Sequence, residues 1–301
     1  MLKLIKFLII SLFLNACIQT SKPIKIGINP WPGYELLVTA KYFNKYKKHN
    51  LNVEIIEYGS LSDVKTAFIN GQIDIMASTL IEVVTARLYE DTPIEVLFAT
   101  DYSNGPDIIL SKTKNLKGKR VGCELDSLGV YILGRALEKE GLSLKDIELI
   151  PADQSSLLEL FSKNKIDAGI TYPPFSIKLK KTFKELETIF DSSDIPYQVV
   201  DVVSIRKDVL KKHPRIKQKM LAVWEEILDD FRKKPESIIP IMAKREKIPV
   251  EEFKDSLEGI VFLEAKDQKN VPFKTIYETI NKVLMEIGQI KKKAKFDIIG
   301  Q

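Results

Sequence analysis

Phe68-Ile-Asn-Gly-Gln-Ile-Asp-Ile-Met-Ala-Ser78 is answered later in the same chain by Phe161-Ser-Lys-Asn-Lys-Ile-Asp-Ala-Gly-Ile-Thr171. With Phe68 set on Phe161, Ile73 falls on Ile166, Asp74 on Asp167 and Ser78 on Thr171. Upstream, Val53-Glu-Ile-Ile-Glu57 and Ile147-Glu-Leu-Ile150 match within one residue. Each unit reads as a strand, a polar turn, an amphipathic helix, a tight turn, then Ile-Asp and a short apolar strand. A strand that returns to its own sheet through a helix needs a crossover, which builds a parallel sheet. Two such units predict an α/β chain of two lobes. Ligands of open α/β sheets sit beyond the carboxyl ends of the strands. The hydroxyl groups Ser78, Thr79 and Thr171, with Tyr172 beside them, are therefore expected to face a cleft between the lobes.

Lys25-Ile-Gly-Ile28 reads as a first strand that ends in the loop Asn29-Pro-Trp-Pro-Gly-Tyr34. Short strands follow at Ile94-Glu-Val-Leu-Phe-Ala-Thr100 and Asp107-Ile-Ile-Leu110. In the second lobe Lys119-Arg-Val-Gly-Cys-Glu124 leads into a helix over 127–140, with Ser127 before it and Gly141 after it as caps. Gln198-Val-Val-Asp-Val-Val-Ser-Ile205 reads as a long strand returning to the first lobe, and beyond Lys207 the chain is helical and rich in Lys and Glu.

The amino terminus carries Lys3 and Lys6 and then an apolar run over 7–14, too short to span a bilayer, so residues 1–16 read as a signal peptide. Leu14-Asn-Ala-Cys17 resembles the bacterial lipobox, which implies a lipid on Cys17 and a short lipidated linker over 17–22. The expected location is outside the cytoplasmic membrane, either anchored to its outer face or in the periplasm. Cys123 is the other cysteine, and acylation of Cys17 would leave no intramolecular disulfide to form.

Without Lys3 and Lys6 the formal charge falls from +5 to +3, close to neutral for a chain so rich in both signs. Lysine runs such as Lys178-Leu-Lys-Lys181 carry no interleaved aromatics, so they read as solvated helix faces and no nucleic acid is expected. His49 and His213 lie in lysine-rich surface contexts and form no metal-spaced cluster. No metal, cofactor or catalytic residue is predicted.

Taken in series, Ile26-Gly-Ile-Asn-Pro-Trp-Pro-Gly-Tyr-Glu35, Asn70-Gly-Gln-Ile-Asp-Ile-Met-Ala77, Asp101-Tyr-Ser-Asn-Gly-Pro-Asp107, Leu116-Lys-Gly-Lys-Arg-Val-Gly122, Ile166-Asp-Ala168 and Ile195-Pro-Tyr-Gln-Val-Val-Asp201 resemble one family. It is the nitrate/taurine/sulfonate-binding family of ABC-transporter receptors, which includes binders of thiamine-pyrimidine precursors. The likeness runs over residues 22–214. It implies a type II periplasmic-binding-protein fold in which two lobes, joined by two hinge strands, close on a small molecule. It also implies an ABC permease with its cytoplasmic ATPase as partner, and a monomeric receptor. The expected division is lobe 1 over 23–106, lobe 2 over 107–203, and a helical return to lobe 1 over 204–301.

Trp31 and Tyr34, held by Pro30, Pro32 and Gly33, supply rigid aromatic area to the expected ligand site. Ser127, Leu128 and Gly129 open a helix whose free amides suit an anionic group. The carboxylates point the other way. Glu35, Glu82, Asp101, Asp107, Glu124 and Asp201 all fall near the expected cleft, and no arginine lies on its loops. A plain inorganic anion would be repelled there, and no bidentate Arg clamp is in view. The residues therefore predict a cationic, zwitterionic or heterocyclic ligand rich in donors, where the resemblance implies an anion. Two other readings share this sequence: an enzyme like the thiamine-pyrimidine synthases of the same fold, and a receptor that serves sensing rather than transport.

Overall fold

The computed structural model describes residues 22–89 and 93–299. The predicted signal peptide, Cys17 and the predicted linker before Lys22 lie outside the described residues. In chain order the strands are β1 (Ile24–Ile28), β2 (Val53–Glu57), β3 (Ile75–Thr79), β4 (Ile94–Ser103), β5 (Ile108–Ser111), β6 (Arg120–Cys123), β7 (Glu148–Pro151), β8 (Ala168–Thr171), β9 (Glu187–Asp191), β10 (Val200–Arg206) and β11 (Ile260–Phe262). They form two sheets, one ordered β11-β4-β10-β3-β1-β2 and the other β7-β6-β8-β5-β9.

The repeat explains the sheets. In the first, β1 lies between β2 and β3, parallel to both; in the second, β6 lies between β7 and β8, parallel to both. The Ile-Asp pair of each repeat fixes that arrangement. Asp74 donates its N–H to the Lys25 carbonyl at 2.9 Å and accepts the Lys25 N–H on Oδ2 at 2.9 Å. Asp167 repeats this on Arg120, at 2.8 Å through the backbone and 3.0 Å through Oδ2. The preceding isoleucines do matching work one layer deeper. A Cβ on Gly27 of β1 would meet Ile73 Cδ1 at 2.3 Å, and one on Gly122 of β6 would meet Ile166 Cδ1 at 3.0 Å. Each central strand carries glycine because the aligned isoleucine occupies the space of its side chain.

Outside these three-strand units both sheets turn antiparallel, so the sheets are mixed where the repeat alone predicts parallel ones. Strand β10 runs against β3 and β4, β11 runs against β4, and β5 runs against β8 and β9. The cause is that the chain changes sheet twice, between β4 and β5 and again between β9 and β10. The two crossings touch. Ser192 Oγ lies 2.8 Å from Ser103 Oγ and accepts the Gly105 N–H at 2.6 Å, while Ser103 donates its N–H to the Val199 carbonyl at 3.0 Å.

The helix predicted over 127–140 is observed as Leu128–Lys139, and Gly141 behind it adopts the left-handed φ of +68°. The helix Ile216–Lys233 covers the first sheet with a fully buried Trp224, whose ring lies 6.0 Å from Phe98 and 6.2 Å from Phe262. Its indole N–H donates to the Leu263 carbonyl at 2.8 Å, so the one polar atom of that ring is satisfied in the core. The helix Phe273–Glu286 lies against both the helix Leu80–Tyr89, which follows β3 of the first sheet, and the helix Leu128–Lys139, which follows β6 of the second. Cys123 is buried and free. His49 is half-buried rather than fully on the surface, because its Nε2 sits 3.0 Å from Glu226.

Candidate ligand-binding site

The strand ends of the two sheets converge on a cavity lined by Asn29, Trp31 and Tyr34 from the loop after β1, Thr79 from β3, Asp201 from β10, Asp107 at the first crossing and Tyr172 after β8. Leu61 and Leu128, the first residues of two helices, complete the wall. The cavity measures about 10 Å³, room for roughly one water, so the lobes are closed. Trp31 and Tyr172 meet edge to face across it at 6.0 Å, and Asn29 Nδ2 donates to the Tyr172 hydroxyl at 3.3 Å.

Polar atoms around this cavity are buried without hydrogen bonds of acceptable geometry: Asn29 Oδ1, Trp31 Nε1, both oxygens of Asp101, Asp107 Oδ2 and Thr171 Oγ1. Buried polar groups are normally paired, so such a concentration marks a place prepared for a partner. Most of these atoms are acceptors. Asp101 and Asp201 stand directly opposite each other in the β4–β10 ladder, and Tyr34 donates its hydroxyl to Asp201. Gly33 makes this approach possible, because a Cβ there would sit 2.5 Å from Trp31 Nε1 and 2.6 Å from Asp101 Oδ2. Burial raises both aspartates above the usual carboxylate range, and Asp201 is raised further by the charge of Asp101. Burial pushes Asp107 up to about 7.

The other predicted residues divide into two groups. Glu124 and Ser127 hold the lobes together. Glu124 Oε1 accepts the Ser62 N–H at 2.8 Å and so caps the helix Leu61–Ile69 of the opposite lobe. Ser127 Oγ, expected to cap its own helix, donates instead to Glu82 at 2.8 Å. Ser78 and Glu35 point elsewhere. Ser78 donates to the Thr79 carbonyl at 3.2 Å, and the fully buried Glu35 is gripped by Arg245, whose Nε and Nη2 reach its two oxygens at 2.7 and 2.8 Å.

Sequence reasoning missed Asn29 and Lys65. Asn29 directly follows β1, the same strand-end position that singled out Thr79, and that signal was sufficient to find it. Lys65 was hidden inside the helix Leu61–Ile69. It is 5% exposed, donates to the Asp126 carbonyl and brings a cation to the closed cleft near Glu82, Asp126 and Glu124. Burial lowers its pKa against the pull of those three carboxylates.

Two α/β sheets joined by paired crossings, with a cavity at the facing strand ends, define a chain of the periplasmic-binding-protein fold. Solved structures of that fold agree. The alkanesulfonate-binding protein SsuA of Xanthomonas axonopodis pv. citri, bound to MOPS, superposes with a TM-score of 0.77 at 16% identity, covering 91% of this chain and 96% of its own. The periplasmic aliphatic sulphonate binding protein SsuA of Escherichia coli gives 0.73 at 19% identity, covering 91% and 95%. Residues 31–238 match the family described as NMT1/THI5 like, and the chain belongs to that family. Among sequences, a binding protein of Brucella abortus (strain 2308) is 31% identical over 136 residues, 44% of this chain and 43% of that protein. The chain thus matches less than half the length of that relative. The taurine-binding periplasmic protein of Escherichia coli (strain K12) is 23% identical over 261 residues, 82% of this chain and 79% of its own.

Proposed function

We propose that this chain is the extracytoplasmic solute-binding component of an ABC importer, and that it takes a small organic solute bearing an amine, a zwitterion or a donor-rich heterocycle in preference to an inorganic anion. Family membership supports the transport role. The observation that carries the ligand class is the gathering of three buried carboxylates: Asp101 opposite Asp201, with Asp107 beside the same cavity, where both Asp101 oxygens and Asp107 Oδ2 lack a well-aligned donor and Asp201 accepts from Tyr34. A cation or a set of N–H donors satisfies such a site, whereas an inorganic anion adds to its repulsion.

Binding proceeds by closure. Each lobe offers half of the wall, so a ligand touching both favours the closed form by its differential affinity for it. The crossings at 104–107 and 192–199 are the hinge of this reading, and the lobes are 23–106 with 204–301 on one side and 107–203 on the other. The permease, with its ATPase, reads the closed form. A lipid on Cys17 holds the monomeric receptor to the membrane, and loss of the membrane-bound form in Cys17→Ala cells is its test. We read the cleft as a binding site rather than a catalytic one: His49 pairs with Glu226, and His213 lies beside the start of the helix Ile216–Lys233.

Native mass spectrometry of the protein purified from its own cells tests the ligand class. The expected result is a bound small molecule carrying an amine or a ring with N–H donors. A copurifying inorganic anion would overturn that class and leave the transport role standing.

A further inference from the structure

The first lobe carries a second distinctive surface, at the end opposite the cleft. Ile24, at the start of β1, lines a depression of about 270 Å³, whereas Asn29, just past the end of the same strand, lines the ligand cavity. The five residues of β1 put about 16 Å between the two. Lys22, Lys212, Arg215 and Lys219 border this depression. A second depression, of about 490 Å³, adjoins it through Asn50, Leu51 and Asn52 and adds Lys41 and Lys47. No carboxylate is among the described residues that line either one. Lys212 reaches Asp208 only at 4.0 Å, and Lys219 donates to the Asn50 carbonyl at 3.1 Å, so both keep their charge facing this end. Lys45 and Lys48 are tied to Glu226 and Asp230 and do not belong to the set. Beside Lys41 stand two aromatics open to solvent, Tyr42 at 65% exposure and Phe43 at 39%, whose rings meet edge to face at 5.2 Å. Cations around an exposed aromatic pair are the residue types that settle at a lipid–water boundary, the rings among the headgroups and the cations at the phosphates.

We propose that this end of the first lobe is a membrane-contact surface that rests on the headgroups of anionic phospholipids. The six cations meet the lipid phosphates, and Tyr42 and Phe43 enter the interface. The position of the chain favours a bilayer over any other acidic partner. Lys22 stands five residues after Cys17, so a lipid on Cys17 is held within about 18 Å of the first depression even at full extension. That step rests on the proposed anchor, while the charge and the aromatic pair stand without it. An acyl anchor and a basic surface are two signals, which together hold a protein to a bilayer more firmly than one. Contact through this end also turns the cleft, at the other end of β1, away from the bilayer and toward the solution that holds the solute.

Cosedimentation of the Cys17→Ala protein with vesicles tests the surface without the lipid. The expected result is binding to vesicles of phosphatidylcholine with phosphatidylglycerol, far weaker binding to phosphatidylcholine alone, and release as salt rises. Lys41→Gln/Lys212→Gln/Arg215→Gln should weaken that binding about fivefold for each cation removed. Tyr42→Ala/Phe43→Ala should weaken it without changing its salt dependence. Lys165→Gln/Lys180→Gln/Lys184→Gln removes the same charge from exposed positions of the second lobe and should bind as the Cys17→Ala protein does. Melting curves confirm that each variant is folded. Equal loss in the two triple variants would reduce the effect to net charge and overturn the proposal. Equal binding to both kinds of vesicle, unchanged binding in either variant of the surface, or binding only to vesicles that carry the permease would overturn it as well. Loss of the membrane-bound form in Cys17→Ala cells bears on the lipid alone, so the anchor and this surface fail separately.

Discussion

Asp101 and Asp201 face each other in neighbouring strands, where two like charges directly opposite would destabilise the sheet, so burial and the charge of Asp101 raise the Asp201 pKa and disfavour ionising both. The asparagine at either position removes that repulsion and also the acceptor charge a cationic ligand needs. Asp101→Asn and Asp201→Asn are expected to raise the stability of the free protein by up to about 1 kcal/mol and to weaken ligand binding by about 1.5–3 kcal/mol; melting curves and calorimetry on the same samples check both signs. Asp107 carries the pH dependence. Its pKa is raised from 3.8 to about 7, so between these values the native state holds a proton that the unfolded chain has released, and stability falls as pH rises through that window. The melting temperature of the free protein should therefore be higher near pH 5 than near pH 7.5. A cationic ligand reverses the slope, because it pairs with the ionised form, and its affinity should grow as pH climbs past about 7. Asp167 acts in the opposite sense at lower pH. The Arg120 guanidinium holds its pKa at about 2, so its contribution is whole above 3.8 and is lost as pH falls toward 2.

At the scale of elements, the repeat was legible because it is written in residues whose jobs are local. Ile73 and Ile166 fill the space of a missing side chain, and Asp74 and Asp167 clip the start of the central strand, so the same dipeptide recurs wherever that job recurs. Gly122→Ala should cost about 1–3 kcal/mol by overpacking against Ile166 and Leu157, each 3.0 Å from the new Cβ, as read by denaturant unfolding. The carboxyl-terminal helices carried no such pattern, and their burial depends on surfaces made by distant strands. Trp224 is the plainest case: nothing in its neighbours announces the pocket between Phe98 and Phe262, and Trp224→Ala is expected to lose about 3–5 kcal/mol. The candidate site was partly legible for the same reason. Strand-end residues such as Thr79, Thr171 and Tyr172 follow from topology. The partners of Glu35, Glu82 and Glu124 do not, because Arg245, Ser127 and Ser62 arrive from sequence separations that no local pattern encodes.

At the scale of the whole molecule, the lobes exchange caps: Glu124 of the second closes the head of Leu61–Ile69 in the first, and Glu82 of the first closes the head of Leu128–Lys139 in the second. Glu124→Ala should leave the Ser62 amide without its cross-lobe partner and shift the population toward the open form, seen as a larger radius of gyration in small-angle scattering of the ligand-free protein. The cavity of about 10 Å³ also requires that any organic ligand enter through that open form. The account as a whole stands on the chemistry of what then enters. Calorimetry of the protein at pH 7.5 against amines, aminopyrimidines, taurine and nitrate measures it directly. Tight binding among the donor-bearing ligands, lost in Asp201→Asn, is the predicted result; tight binding of taurine or nitrate with no response to any amine or pyrimidine would contradict it.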